Sequence, residues 1–314
     1  MSKKNSLIAV VAFVFGVSFV LVTGFITNEP KEDKTLVAEK ASPCSVNSLS
    51  VPKELDFAGE RVPLEDPEVN MRLDREFLVN TYWQSNAILL IKRAHKYFPI
   101  IEPILKEYGV PDDFKYLALA ESGLTQVVSP AGATGFWQLM KPTAQEYGLK
   151  VNANVDERYH VEKSTHVACK YLLNSKERFG TWTLAAAAYN AGNAGVSRQL
   201  ERQKVSDYYD LLLVEETSRY VFRILAMKTI IGNYEDYGFQ IDKEHFYPEI
   251  AVKKVEVDTS VSDLASFAKE MNISYKTLKL HNPWLREINL VNHSKKKYSL
   301  EIPEEGQYLL FSNL

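Results

Sequence analysis

From Pro67 to about Tyr237 apolar side chains recur at helical spacings, and no alternating strand pattern of any length interrupts them. A segment that long with a single period can bury its apolar stripes only by packing helix on helix, so it reads as an all-α domain. Met71 to about Ala94 forms one long segment, with Leu78, Tyr82, Ala87, Leu89, Leu90 and Ile91 at helical spacings. Pro99, Pro103 and Pro111 punctuate the turns that follow. Phe114 to Glu121 predicts a short apolar helix closed by Gly123, and further helices fit 141–147, 161–179, 182–190 and 215–233.

The pattern changes after about residue 240. Val252 to Val257 alternates as a strand, Val261 to Met271 and Tyr275 to Leu280 fit two short helices, and Tyr298 to Ile302 alternates again before Pro303. This is a β-α-α-β unit of about 50 residues, too small to be stable alone unless tightly packed. The expected fold class is mainly α, with a small α+β C-terminal domain.

Four stretches between Phe114 and Val221 carry candidate chemistry. Glu121 ends Tyr116-Leu117-Ala118-Leu119-Ala120-Glu121 and shares a helix face with Leu117. A carboxyl held against apolar side chains is expensive to ionise, so its pKa should rise toward neutrality, as a general acid requires. A solvated helix-end residue is the competing reading. Ser129-Pro130-Ala131-Gly132-Ala133-Thr134-Gly135-Phe136-Trp137-Gln138-Leu139-Met140 has two glycines that permit tight turns and close backbone approach. Its Phe136 and Trp137 could form a stacking surface or anchor a core, and Gln138 supplies a donor and an acceptor. Ala185-Ala186-Ala187-Ala188 lets a helix approach its neighbours closely, and Tyr189 then projects a hydroxyl from an apolar base. Glu215-Glu216-Thr217-Ser218-Arg219-Tyr220-Val221 opens a helix, where acids also occur simply to favour the helix dipole.

Taken together, Glu-Ser, then Gly-x-x-Gly-x-x-Gln-x-Met, then Ala-Tyr-Asn-Ala-Gly, then Glu-Thr-x-x-Tyr-Val resembles the family 1 lytic transglycosylases. The tryptophan before the glutamine is most similar to the membrane-bound murein transglycosylase D branch, and the resemblance covers roughly residues 85–235. It implies a lysozyme-like helical catalytic domain with Glu121 as acid/base. Ser129, Gln138 and Met140 match positions lining the family's glycan groove. Tyr189 matches the tyrosine close to the reacting sugar, Asn190 its neighbour in the motif, and Glu216 a groove carboxylate that contacts the N-acetyl sugar. One departure is Met140-Lys141-Pro142, where relatives usually place proline directly after the methionine. The C-terminal unit resembles a LysM module through Leu264, Ala265, Asn272-Ile273, Leu278, Asn282-Pro283, Leu285 and Tyr298 to Pro303. Val257-Asp258-Thr259-Ser260-Val261 lacks the glycine usual at its start. Two readings of this unit stand: retained glycan binding, and a packing cap for the catalytic domain.

The implied activity is cleavage of the MurNAc–GlcNAc β-1,4 bond of peptidoglycan without water. Between Glu121 and Asp156 the chain offers one further acid, Glu146, in a helical stretch expected to face solvent. With no obvious second carboxylate, the substrate's own N-acetyl group would supply the nucleophile. Glu121 would then remove the proton of the substrate's 6-hydroxyl, leaving 1,6-anhydroMurNAc ends. Two alternatives remain at this stage: a goose-type hydrolytic lysozyme on the same fold, and a non-catalytic peptidoglycan-binding protein.

Lys3 and Lys4 precede an uncharged run from Leu7 to Ile26, long enough to span a bilayer core of roughly 30 Å. Residues 1–27 are therefore expected to be a membrane anchor or a cleaved signal peptide. Either reading puts the rest in the periplasm or cell envelope, since the basic end stays inside. Residues 28–66 read as a linker, 67–240 as the catalytic domain and 250–305 as the LysM-like domain. The net charge of -3 leaves no electrostatic footprint for nucleic acid. The expected partners are glycan strands and, through the N-terminal segment, a membrane. Cys44 lies in the wrong context for a lipoprotein cysteine, and Cys169 sits in a helical apolar pattern as a core residue. The six histidines lack metal-ligand spacing, so no metal and no cofactor are expected.

Overall fold

The computed structural model describes residues 48–308. The run Leu7–Ile26, the first part of the expected linker and Cys44 lie outside the described residues, and no helix among the described residues is long and apolar enough to cross a membrane. The second part of the linker is not a tether. Strands β1 (Asp56–Phe57) and β2 (Glu60–Arg61) form a hairpin whose two turn residues, Ala58 and Gly59, both have positive φ. That geometry matches the twist of the flanking strands. Phe57 and Val62 are fully or nearly fully buried in the helical core. Elements of two residues leave no period to detect, so the sequence pattern could not reveal them.

Helix α1 (Pro67–Tyr82) is capped by Asp66, whose carboxylate accepts from the Glu68 amide at 2.8 Å. The single helix expected over 71–94 is broken at Trp83, whose ψ of 62° lies outside the helical region, and α2 (Gln84–Tyr108) follows. Pro99 and Pro103 do not punctuate turns. They lie inside α2, on its exposed face. Each removes one helical N–H, and the carbonyls so freed, of His95 and Pro99, belong to exposed residues that water can reach.

Helix α3 (Phe114–Ser122) ends where Gly123 turns left-handed at φ 59° and donates to Leu119 O at 2.8 Å. After α4 (Lys141–Glu146) come α5 (Val161–Phe179), α6 (Trp182–Ala191) and α7 (Asn193–Gln203). The sequence pattern does not suggest α7, because Val196 is its one buried residue. Helix α8 (Glu215–Gly232) packs against α1, α3 and α6, with Tyr220, Val221, Ile224, Leu225 and Ala226 buried. Burying Val221, Ile224 and Leu225 contributes about 1.5–3 kcal/mol each and holds α8 against these helices. The hairpin also serves this packing. Glu60 accepts from the amides of Trp182 at 2.6 Å and Thr183 at 2.8 Å, holding a carboxylate at the N-terminus of α6.

The C-terminal unit is β3 (Val252–Val257), α9 (Leu264–Glu270), α10 (Tyr275–His281) and β4 (Tyr298–Pro303). The strands pair antiparallel from Val252 opposite Pro303 to Val257 opposite Tyr298. Its core, built on Leu264, Leu278, Leu285, Tyr298 and Leu300, also contains Val155 and Tyr159 from the helical domain. So small a unit is closed by borrowed residues. The fold is mainly helical with small antiparallel sheets.

Candidate active site

Three helices and one loop bring the motif residues together. Glu121 stands in the last turn of α3, where the C-cap at Gly123 ends the helix and turns the chain away. The carboxyl accepts a hydrogen bond from the Tyr220 hydroxyl of α8. Glu121 keeps some solvent exposure, yet protein atoms surround its carboxyl densely. Burial pushes its pKa from 4.5 up to about 7. The Tyr220 hydrogen bond and the charge of Arg223 pull the other way, and the charge of Glu216 adds to the rise. The result is a carboxyl that holds its proton near neutrality and sits beside a donor able to stabilise the anion left after transfer.

Tyr189 lies near enough to feel the charge of the carboxyl. The small side chains Ala185 to Ala188 are fully buried and let α6 seat tightly against α5 and α8. The Tyr189 hydroxyl donates to Trp137 O at 2.7 Å, and its ring meets Tyr171 edge-on at 5.4 Å. Burial, and then the nearby Glu121 charge, raise its pKa well above 10, so the phenol stays neutral. Asn190, next along, accepts from Thr217 Oγ1 at 2.9 Å and so ties α6 to the start of α8.

The loop 129–140 lies against the end of α3, with Ser122 Oγ donating to Phe136 O at 2.8 Å. Gln138 adopts a left-handed φ of 46°, and its side-chain amide donates to Gly135 O at 2.8 Å and Val127 O at 3.1 Å. Ser129 Oγ accepts from the Ala133 amide at 3.0 Å, closing the turn at the loop's other end. Met140 is 42% exposed at the exit of the loop. Gly135 has φ 81°, and a Cβ there would lie 2.2 Å from Arg158 O, so the glycine is demanded by contact as well as by conformation.

The charge of Glu121 is thus within reach of both Tyr189 and Glu216, while Asn190 follows Tyr189 on α6 and Gln138 follows Trp137, whose carbonyl holds the Tyr189 hydroxyl. Ser129 and Met140 stand at the two ends of the same loop, where Ser129 closes its own turn and Met140 leads into α4. Glu216 is exposed in the first turn of α8. Phe136 and Trp137 are not a stacking surface. Trp137 is fully buried with its indole N–H on Thr165 Oγ1 at 2.8 Å, and Phe136 is 2% exposed. Glu146 is exposed on α4, as its sequence context suggests, and Cys169 is fully buried, with its thiol pushed up to about 12 by burial. Tyr220 and Arg223 are neighbours of the Glu121 carboxyl to which sequence reasoning gave no role; Tyr220 entered only as a letter of the Glu-Thr-x-x-Tyr-Val motif. Their signal was available: Glu216, Tyr220 and Arg223 are spaced by four and three, one face of a helix. Among the described residues no group of three or more His, Cys, Asp or Glu side chains is placed to hold a metal ion.

Against known proteins, residues 98–212 match the transglycosylase SLT domain. Residues 253–306 match the soluble lytic transglycosylase C-terminal LysM-like domain. Membrane-bound lytic murein transglycosylase D of Escherichia coli strain K12 is 30% identical over 235 residues, which is 72% of this chain and 50% of the relative. The protein of the same name from Escherichia coli O6:H1 gives the same figures. The chain therefore spans about half the length of the curated relatives it matches. A lytic transglycosylase Slt inactive mutant from Pseudomonas aeruginosa, solved by X-ray, is 25% identical, with a TM-score of 0.38 over 48% of this chain and 26% of that one.

Proposed function

From the premise that this chain carries an SLT domain followed by a LysM-like domain, we propose that it is a peptidoglycan lytic transglycosylase of the cell envelope. The observation that carries the reading is Glu121: a carboxyl hydrogen-bonded by Tyr220 and raised to about 7 by burial. At neutral pH it holds a proton for the leaving oxygen of the MurNAc–GlcNAc β-1,4 bond. Its anion is stabilised at once by the Tyr220 hydroxyl and the Arg223 charge.

Glu216, whose charge acts on Glu121, is exposed in the first turn of α8, which suits a role in holding substrate better than one at the anomeric carbon. The N-acetyl group of the substrate then takes the part of internal nucleophile. Glu121 next accepts the proton of the 6-hydroxyl, which closes onto the anomeric carbon, because a tethered hydroxyl outcompetes free water. The products end in 1,6-anhydroMurNAc. Gln138, Ser129, Met140, Tyr189, Asn190 and Glu216 line the groove that positions the strand. The run Leu7–Ile26 holds the enzyme at the membrane or directs its export.

Glu121→Gln keeps shape and burial and removes the transferable proton. Solubilisation of purified peptidoglycan should fall by at least about 100-fold, with the circular dichroism spectrum unchanged. Near-normal solubilisation by that variant would remove Glu121 from the mechanism.

A further inference from the structure

The segment 150–160 has two faces, and both are engaged. On one side Arg158, 8% exposed, donates through Nη1 to Gly132 O at 2.9 Å and Leu139 O at 3.1 Å, gripping the Gln138 loop at both ends. Its remaining donors form a fork on Asp156, at 3.0 and 2.7 Å. The Gly135 backbone presses on the Arg158 carbonyl so closely that no side chain fits between them.

On the other side the C-terminal domain takes hold of the same segment. The Asp156 amide donates to Trp284 O at 2.9 Å and the Arg286 amide to Asn154 O at 2.9 Å. The Asn154 side chain bonds Asn289 O at 3.0 Å and accepts from the Val291 amide at 2.9 Å. Val155 and Tyr159 complete the domain's core, and the Arg286 guanidinium covers the Tyr159 ring at 4.0 Å. Glu157, 1% exposed, is paired with Lys163 of the helical domain and Lys296 of the C-terminal domain.

We propose that the C-terminal domain braces the catalytic groove: it clamps segment 150–160, and through Arg158 and Asp156, as positioning residues, that segment fixes the loop bearing Gln138. The proposal rests on the reading of this loop as a wall of the groove. A brace differs from a substrate reader in what it changes. A reader raises local substrate concentration and leaves work on short soluble fragments alone. A brace sets the geometry of the loop whatever the length of the substrate.

The full chain carrying Asn154→Ala together with Arg286→Ala separates the two. Both substitutions lie in the joint, and neither touches the loop or Glu121. Hydrogen exchange at the amides of Gly132, Thr134, Gly135 and Leu139 should quicken by about tenfold, while the buried amides of α8 keep their protection. On a short soluble glycan, kcat should fall by about tenfold with KM within about twofold, and binding to insoluble peptidoglycan should stay within about twofold. Arg158→Lys retains the charge but loses the fork, and should give the same loop exchange without disturbing the joint. Loop amides that exchange at the wild-type rate in both variants would overturn the brace. So would a loss of binding to insoluble peptidoglycan with kcat on soluble glycan intact. If the wild-type chain cleaves no glycan, the functional reading fails on its own and the exchange measurement still decides the brace.

Discussion

Tyr220→Phe removes one hydroxyl and leaves a ring of the same shape in a site only 2% exposed. That hydroxyl donates to the Glu121 carboxyl and is the largest influence opposing the rise caused by burial. A hydrogen bond to a charged group contributes about 1.5–3 kcal/mol, and 1.36 kcal/mol moves a pKa by one, so its loss should raise the carboxyl by about one to two pH units. In a pH profile of kcat/KM on a soluble glycan, the alkaline limb reports loss of the acid's proton in the free enzyme. The wild-type limb should fall near pH 7, where the Glu121 carboxyl lies. The Tyr220→Phe limb should lie about one to two units higher. The maximal rate should drop by about tenfold, because the anion formed on proton transfer has lost its donor. An alkaline limb that stays in place, or moves to lower pH, would show that Tyr220 does not govern the carboxyl.

The same carboxyl makes stability depend on pH. Folded Glu121 keeps its proton to about 7, whereas the unfolded chain releases it near 4.5, so wild-type stability is lost as pH rises through that window. Glu121→Gln does not titrate. Urea unfolding should show the two proteins alike at low pH and the variant more stable at pH 8 by up to about 3 kcal/mol, and a constant gap would contradict the raised pKa. Gly135→Ala places a methyl against the Arg158 carbonyl at a φ that disfavours it. It should cost about 1–3 kcal/mol in thermal unfolding and reduce activity with it, while an unchanged melting temperature would mean the loop yields freely.

Much of the architecture was legible because its signals are local. Helix α5 runs over the residues its apolar period marks and stops at Gly180, which turns left-handed at φ 77°. The strands β3 and β4 run over the expected residues; β4 alternates in burial until its end, whereas β3 does not, since Lys253 and Lys254 are both exposed. What escaped has a different physical origin. A single residue, Trp83, breaks a helix whose apolar period continues across it, so the pattern could not reveal the break. Pro99 and Pro103 read as breakers but are tolerated on a solvated face. Phe57, Val62 and Glu60 act through contacts with helices far along the chain, which no window of sequence contains.

At the site, an apolar helix ending in an acid left Glu121 open between a raised carboxyl and a solvated helix end, and the four motifs in order singled it out. The phenol that bonds it comes from α8, 99 residues away; the sequence showed it as a letter of the Glu-Thr-x-x-Tyr-Val motif but gave it no partner. Trp137 could equally have stacked on a ligand or anchored the core. Its indole N–H on Thr165 decides for the core. A packing cap was one reading of the C-terminal unit, but the residues of the joint were invisible, because Val155 and Tyr159 look like ordinary apolar residues until a second domain covers them.

The measurement that bears most directly on the central claim is mass analysis of the sugar ends after digestion of purified peptidoglycan by the full chain. If the 6-hydroxyl closes on the anomeric carbon, each cleavage yields a 1,6-anhydroMurNAc end, about one water, roughly 18 Da, lighter than a hydrolytic end. Fragments that carry only reducing MurNAc ends would show that water is the acceptor, and the chain would be a hydrolytic lysozyme on this fold.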